Sequence, residues 1–189
     1  TSDDIYITGT KGEKEVLTAF TRDGKKKWET EYGNITKEVS YPESRCTPTG
    51  ANGKILVISG KGDLACITKD GKIAWTVNYY QKYNATIQRF GISESPLVVD
   101  NEVIATPGGN MASMVAFSLD NGSVIWETPP LNEGTQYTNP LLIEDKGMKV
   151  IVTHTVTYII GVDAGNGKLL WKFNFTSVNE GQQADWCKT

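Results

Sequence analysis

Short apolar runs, rich in β-branched and aromatic residues, recur along the chain between glycine- and asparagine-bearing breaks. Ile5-Tyr6-Ile7-Thr8, Ile55-Leu56-Val57-Ile58, Val103-Ile104-Ala105-Thr106 and Val150-Ile151-Val152-Thr153 hold equivalent places. None carries the 3.6-residue spacing of a helix face, so the runs predict strands. A second run follows each of them, at 16–20, 64–67, 114–117 and 158–162. Next comes Asp23-Gly24, Asp70-Gly71, Asn121-Gly122 or Asn166-Gly167. Such dipeptides predict tight hairpins, whose positive φ angles glycine and asparagine tolerate. Each glycine is followed, four residues on, by Trp28, Trp75, Trp126 or Trp171 in the strand that closes the unit. A proline opens a further strand ahead of three of the units, at Pro48, Pro96 and Pro140. At the first residue of a strand, proline removes no ladder hydrogen bond.

The four tryptophans follow one another at intervals of 47, 51 and 45 residues, from 28 to 75, 75 to 126 and 126 to 171. A period of about 40–50 residues built from short strands and glycine turns predicts propeller blades of four antiparallel strands. The blades are expected near 1–40, 41–87, 88–132 and 133–178, with 179–189 beginning a next one. The first unit lacks its proline-marked strand, and the chain ends about where a fifth such strand should start. The expected architecture is therefore all-β, an arc of four blades within a seven- or eight-bladed ring. Remaining blades, or a second chain, would complete it.

The 189 residues are enough for a sizeable core, and 39% hydrophobic with 10% aromatic residues is ordinary for a folded protein. A formal net charge of −3 offers no positive field to a nucleic-acid backbone. Lys25-Lys26-Lys27 reads as the solvated end of a hairpin. No apolar run reaches the ~18 residues of a membrane helix, and Thr1-Ser2-Asp3-Asp4 lacks the order of a signal peptide. Cys46, Cys66 and Cys187 form no C-x-x-C pair, which indicates neither a zinc site nor a disulfide framework. Cys66 reads as a core thiol, and a role for the two loop cysteines stays open. His154, alone among threonines in a strand, reads as a packed position. No metal site is expected.

Ligands of propellers meet the loops at one mouth of the channel, here the loops that precede the proline-marked strands. Candidate binding residues are Arg45, Arg89, Glu94, Gln136, Tyr137, Asn139, Asp185 and Trp186. A planar ligand has Tyr137 or Trp186 to stack on and Arg45 or Arg89 to hold a carboxylate. The same residues equally suit polar loops packing on one another. Trp28, Trp75, Trp126 and Trp171, with Gly24, Gly71, Gly122 and Gly167, are assigned to architecture.

Ala116-x-Ser118-x-x-Asn121-Gly122-x-x-x-Trp126 and Gly161-x-Asp163-x-x-Asn166-Gly167-x-x-x-Trp171 resemble the A-x-D-x-x-T-G-x-x-x-W repeat of quinoprotein-type, PQQ-like β-propellers. The first two units carry a turn one residue shorter. The resemblance implies that each Trp wedges between neighbouring blades. It implies a bacterial, extracytoplasmic protein, periplasmic or associated with the outer membrane. The leading expectation is a non-catalytic binding or scaffold propeller that takes a protein partner or a small polar ligand at the channel loops. One alternative is a PQQ- and calcium-dependent oxidoreductase of alcohols or sugars, with Glu94, Asn139 and Asp185 as the residues of suitable chemistry. The other is a ligand-sensing ectodomain. The vicinal disulfide frequent in the enzymes is missing from this sequence, and no cofactor is expected.

Overall fold

A computed structural model describes residues 4–178. The chain builds four antiparallel sheets in sequence order. The first has three strands, β1 (Ile5–Lys11), β2 (Lys14–Phe20) and β3 (Lys26–Asn34). The second holds β4 (Thr49–Ala51), β5 (Lys54–Ile58), β6 (Asp63–Thr68) and β7 (Ile73–Asn78). The third holds β8 (Leu97–Val99), β9 (Glu102–Ala105), β10 (Met114–Ser118) and β11 (Val124–Thr128), and the fourth β12 (Leu141–Asp145), β13 (Met148–His154), β14 (Tyr158–Asp163) and β15 (Leu169–Asn174). Every sheet is a simple meander, which is the topology of a propeller blade. The propeller is partial, and among the described residues the first sheet has no counterpart of the strands that Pro48, Pro96 and Pro140 introduce in the others. A single helical turn, α1 (Tyr79–Lys82), leads out of the second blade, capped by the Asn78 side chain accepting from the Gln81 N–H.

Consecutive residues of a strand face opposite sides of its sheet. Leu64, Ala65, Cys66 and Ile67 of β6 are all fully buried, so the second blade is packed on both faces. Val115, Ala116 and Phe117 repeat this in β10. Core side chains of the first three blades form one continuous cluster, and Trp126, Ile151, Ile160 and Val162 join a second between the third and fourth. Burial pushes the Cys66 thiol up to about 11.

One irregularity recurs in all four blades. The residue before each Trp is an extra one in its strand, because Ala19 pairs with Trp28 and Phe20 with Lys26, Cys66 with Trp75 and Ile67 with Ile73. The third and fourth blades repeat the slip at Ala116–Trp126 and Gly161–Trp171. A bulge of this kind increases local twist and re-aims the neighbouring side chain. Here it turns the indole over a small residue of its own blade and towards the next blade.

The indole then lands on the turn glycine of that next blade. A Cβ on Gly71 would lie 2.7 Å from Trp28, and one on Gly122 would lie 2.8 Å from Trp75. Trp126 closes on Gly167 in the same way. The indole N–H of Trp28 donates to the Lys69 carbonyl (2.9 Å), and that of Trp75 donates to the Leu119 carbonyl (3.0 Å). Gly122 also has φ +72°, a region costly for residues with a Cβ. Gly122→Ala meets both penalties. Gly147→Ala, at φ +80° with nothing within 4 Å, meets only the backbone one. Urea denaturation should place Gly122→Ala below Gly147→Ala by about 1–3 kcal/mol, the range for overpacking. Equal losses would show that the indole does not hold this joint.

Candidate functional site

The loops between the outer strand of one blade and the inner strand of the next (35–48, 79–96 and 129–140) lie against one another. The Ser40 N–H donates to the Arg89 carbonyl (3.1 Å), and the Phe90 N–H donates to the Tyr137 hydroxyl (3.1 Å). These two bonds set three rings in a row. Tyr41 and Phe90 have centroids 6.0 Å apart, and Phe90 and Tyr137 have centroids 5.6 Å apart, tilted by 38° and 53°. The Arg45 guanidinium sits 5.5 Å from the Tyr41 ring centre and donates to the Tyr41 carbonyl (3.1 Å). Arg89 lies 5.5 Å from the Phe90 ring centre. Tyr41 is 59% exposed and Tyr137 37%, so the row faces solvent instead of filling a core. Gly91, at φ +80°, brings the backbone past the Arg45 guanidinium.

The structure thus brings Arg45, Arg89 and Tyr137 together and adds two rings, Tyr41 and Phe90, that were not selected from the sequence. A signal for them existed. Tyr41, Phe90 and Tyr137 are spaced by 49 and 47 residues, the blade period itself. Trp186 stands 49 residues beyond Tyr137, and it and Asp185 lie outside the described residues.

The other candidates have structural partners. Glu94 is buried, its Oε1 accepting from the Thr106 N–H (2.9 Å) and its Oε2 from the Tyr79 hydroxyl (3.1 Å). Burial pushes its carboxyl up to about 7, against the lowering effect of those donors. Gln136 lines a void beside Tyr80, Ser93, Glu94 and Thr135 with room for about one water. Asn139 accepts the Ser95 N–H on Oδ1 (2.7 Å), and Ser95 Oγ accepts the Thr47 N–H (2.9 Å). Thr47, Ser95 and Asn139, which precede the three blade-opening prolines, are thereby linked in series from the second blade to the fourth.

Two further groups came to light only in the structure. Glu15 is buried, taking hydrogen bonds from the Tyr32 hydroxyl (2.7 Å) of its own blade and, across the first blade joint, from the Gly60 N–H (2.6 Å), and burial raises its carboxyl. An open cleft of about 390 Å³ is lined by Asn84, Gln88, Asn110, Asn132 and Glu133. Cys46, read from the sequence as a loop residue, is buried. Its sulfur accepts the Ile58 N–H (3.2 Å), and desolvation pushes the thiol up to about 12, so it stays protonated.

Calcium and PQQ would require uncommitted carboxylate and amide oxygens from Glu94 and Asn139. Both oxygens of Glu94 and the side-chain oxygen of Asn139 are committed to protein donors. Among the described residues no group of three His, Cys, Asp or Glu is placed to hold a metal ion. The described part of the proposed set therefore does not fit that cofactor. What the exposed row offers chemically is flat apolar area beside two guanidinium groups, a combination that recognises carboxylates and aromatic or aliphatic side chains.

Comparison with known proteins follows the repeat. A family model described as outer membrane protein assembly factor BamB matches residues 13–186. No curated protein sequence matches the chain. Among solved structures, quinohemoprotein alcohol dehydrogenase from Comamonas testosteroni superposes with TM-score 0.67 at 15% identity, over 91% of this chain and 33% of that one. BamB from Moraxella catarrhalis superposes with TM-score 0.54 at 12% identity, over 92% and 50%. The computationally designed Ika8 protein does so with TM-score 0.58 at 10% identity, over 92% and 46%. The chain spans a third to a half of the length of these neighbours. Among the described residues, no helix is long and apolar enough to cross a membrane.

Proposed function

The chain belongs to the PQQ-like repeat family described as outer membrane protein assembly factor BamB, and from that membership we propose that it is a non-catalytic binding propeller working outside the cytoplasmic membrane. The observation that carries the reading is the exposed row Tyr41–Phe90–Tyr137 with Arg45 and Arg89 against it. Aromatic residues and arginine dominate the energetic centres of protein interfaces. Rings held by backbone hydrogen bonds also lose little side-chain entropy when a partner arrives. The partner surface that suits the row carries carboxylates next to apolar side chains. Glu94 and Asn139 support a binding role for this mouth indirectly, by fixing the loops rather than by touching a ligand.

The test is a fluorescence-anisotropy screen of acidic, aromatic-bearing peptides against the chain, with Phe90→Ala and Arg89→Ala as variants. Peptides that bind should lose about 30-fold in Kd on Phe90→Ala, the scale of a hot-spot residue, with the melting curve little changed. Arg89→Ala should weaken acidic peptides more than neutral ones. Binding indifferent to both variants would remove the row from the interface. In parallel, PQQ is titrated with and without calcium. A calcium-dependent rise in Tm with bound quinone absorbance would replace the binding reading by the oxidoreductase one.

A further inference from the structure

Asparagine is frequent in the turns of this chain, and most of its amides are spent within it. The side chains of Asn121, Asn166 and Asn174 accept the N–H two residues on, as turn asparagines commonly do. Asn34, Asn78, Asn101 and Asn139 are bonded to other segments. Among the described residues, Asn52, Asn84, Asn110 and Asn132 make no side-chain hydrogen bond within the chain, and three of these four line the 390 Å³ cleft. The left-handed backbone of Asn84 (φ +49°) and Asn132 (φ +58°) accounts for an asparagine at either place. It does not account for Asn110, nor for Gln88 beside them, whose amide is likewise unbonded among the described residues.

Three loops make the walls: the segment after α1, the turn between β9 and β10, and the segment between β11 and β12. The Gly109 N–H donates to the Glu133 carbonyl (2.6 Å), and a Cβ on Gly108 would lie 2.9 Å from Thr135, so the second and third loops are locked together. Gly134 gives the Gln88 amide its place, since a Cβ there would stand 2.5 Å from Nε2. The fourth blade orients Glu133. Its Oε2 accepts from the Thr155 hydroxyl and from the Thr157 N–H (3.0 Å), which leaves Oε1 without a partner among the described residues.

The cleft has the volume of a small-molecule site, for which the range is about 300–1,000 Å³. Its chemistry narrows the ligand. A carboxamide sets a donor and an acceptor side by side, and hydroxyl groups are the ligand groups that use both. No Lys or Arg lines the cleft and Glu133 adds negative charge, which disfavours phosphates and carboxylates. A calcium ion calls for about six to eight oxygens converging at about 2.3–2.6 Å, which an open cleft with one carboxylate does not offer. A peptide main chain needs an unpaired strand edge, but the segment 133–135 is already bridged to Gly109 and to Thr155. We infer that this cleft binds a neutral saccharide, its vicinal hydroxyls paired with the amides of Asn84, Gln88, Asn110 and Asn132 and with Glu133 Oε1. The site is distinct from the aromatic row, none of whose rings lines it.

The experiment is a calorimetric titration of the 189-residue chain with glucose, galactose, mannose, maltose and cellobiose, repeated on Asn110→Ala/Asn132→Gly and on Gly134→Ala. Asn110 is exposed and glycine suits the backbone of Asn132, so the double variant should melt as wild type does. Gly134→Ala keeps every amide and displaces only the flexible end of Gln88. At least one sugar of the panel should bind, with its Kd raised about 10-fold in the double variant, the scale of two lost hydrogen bonds, and less in Gly134→Ala. The 6-phosphate of the bound sugar should bind more weakly than the sugar itself. Phe90→Ala should leave the sugar Kd unchanged, which separates this site from the peptide-binding row. A panel without binding at tens of millimolar, a Kd indifferent to both variants, or a preference for the phosphorylated sugar would each overturn the inference.

Discussion

Trp126→Ala is expected to cost about 3–5 kcal/mol, the range for truncating a buried aromatic side chain. Trp126 is 7% exposed and lies between Gly167 of the fourth blade and Ala116 of its own. Its N–H donates to Glu102 Oε2 (2.8 Å). An alanine removes the wedge between two rigid sheets, which cannot close over the space because each is held by its own ladder. It also strands the partly buried Glu102 carboxylate, which burial already penalises. The internal control is Trp171→Ala, the same residue in the same motif but 44% exposed. Within the single chain Trp171→Ala should cost under about 1 kcal/mol, as exposed positions do. Urea denaturation of the two variants measures the difference. Equal costs would mean that packing within one blade, and not the joint between blades, holds the indole.

The strands, the hairpins and the Trp–glycine period were legible because each depends on residues close in sequence. Alternation, Asn-Gly turns and a Trp four residues on are local facts, and a blade is a local meander. The bulge before each Trp was not legible, since Lys27, Ala74, Ile125 and Leu170 range from a cation to aliphatic side chains and are set apart only by how the strands pair. Side-chain chemistry at the mouth was half legible. Arg45, Arg89 and Tyr137 stood out as residue types, yet what assembles them is a backbone hydrogen bond from Phe90 to Tyr137 across two loops. Glu94 shows the opposite limit. A glutamate in a polar loop reads as a ligand, and only the Tyr79 ring folding back over it makes it an internal tie. The sequence holds the tyrosine, but not the direction in which α1 sends it.

That tie should make stability depend on pH in a sense opposite to most carboxylates. The Glu94 carboxyl is pushed from its ordinary 4.5 to about 7 in the folded chain. Below 4.5 it is protonated in both states and contributes nothing to the difference. Between 4.5 and about 7 the unfolded chain releases the proton while the folded chain keeps it, so stability falls as pH rises. Above about 7 the cost of the buried charge is complete. Glu94→Gln cannot ionise but keeps a carbonyl oxygen for the Thr106 N–H. Between pH 5 and pH 8, wild type should lose about 2–3 kcal/mol more than Glu94→Gln, from the linkage of proton release to folding. Glu15, raised by burial in the same direction, and the exposed Asp23, Asp70 and Asp120, lowered by their hydrogen-bond partners, are common to both proteins and cancel in the difference. Denaturant titrations of the pair at several pH values read the quantity directly. Parallel curves would mean that Glu94 stays ionised when folded, and that the Thr106 and Tyr79 donors outweigh its desolvation. Curves converging at low pH and separating above pH 7 would place the proton on this carboxyl. The loop from α1 to β8, on which Arg89 and Phe90 are carried, would then be held by a group that discharges near neutral pH, and peptide binding at the aromatic row should weaken over the same interval.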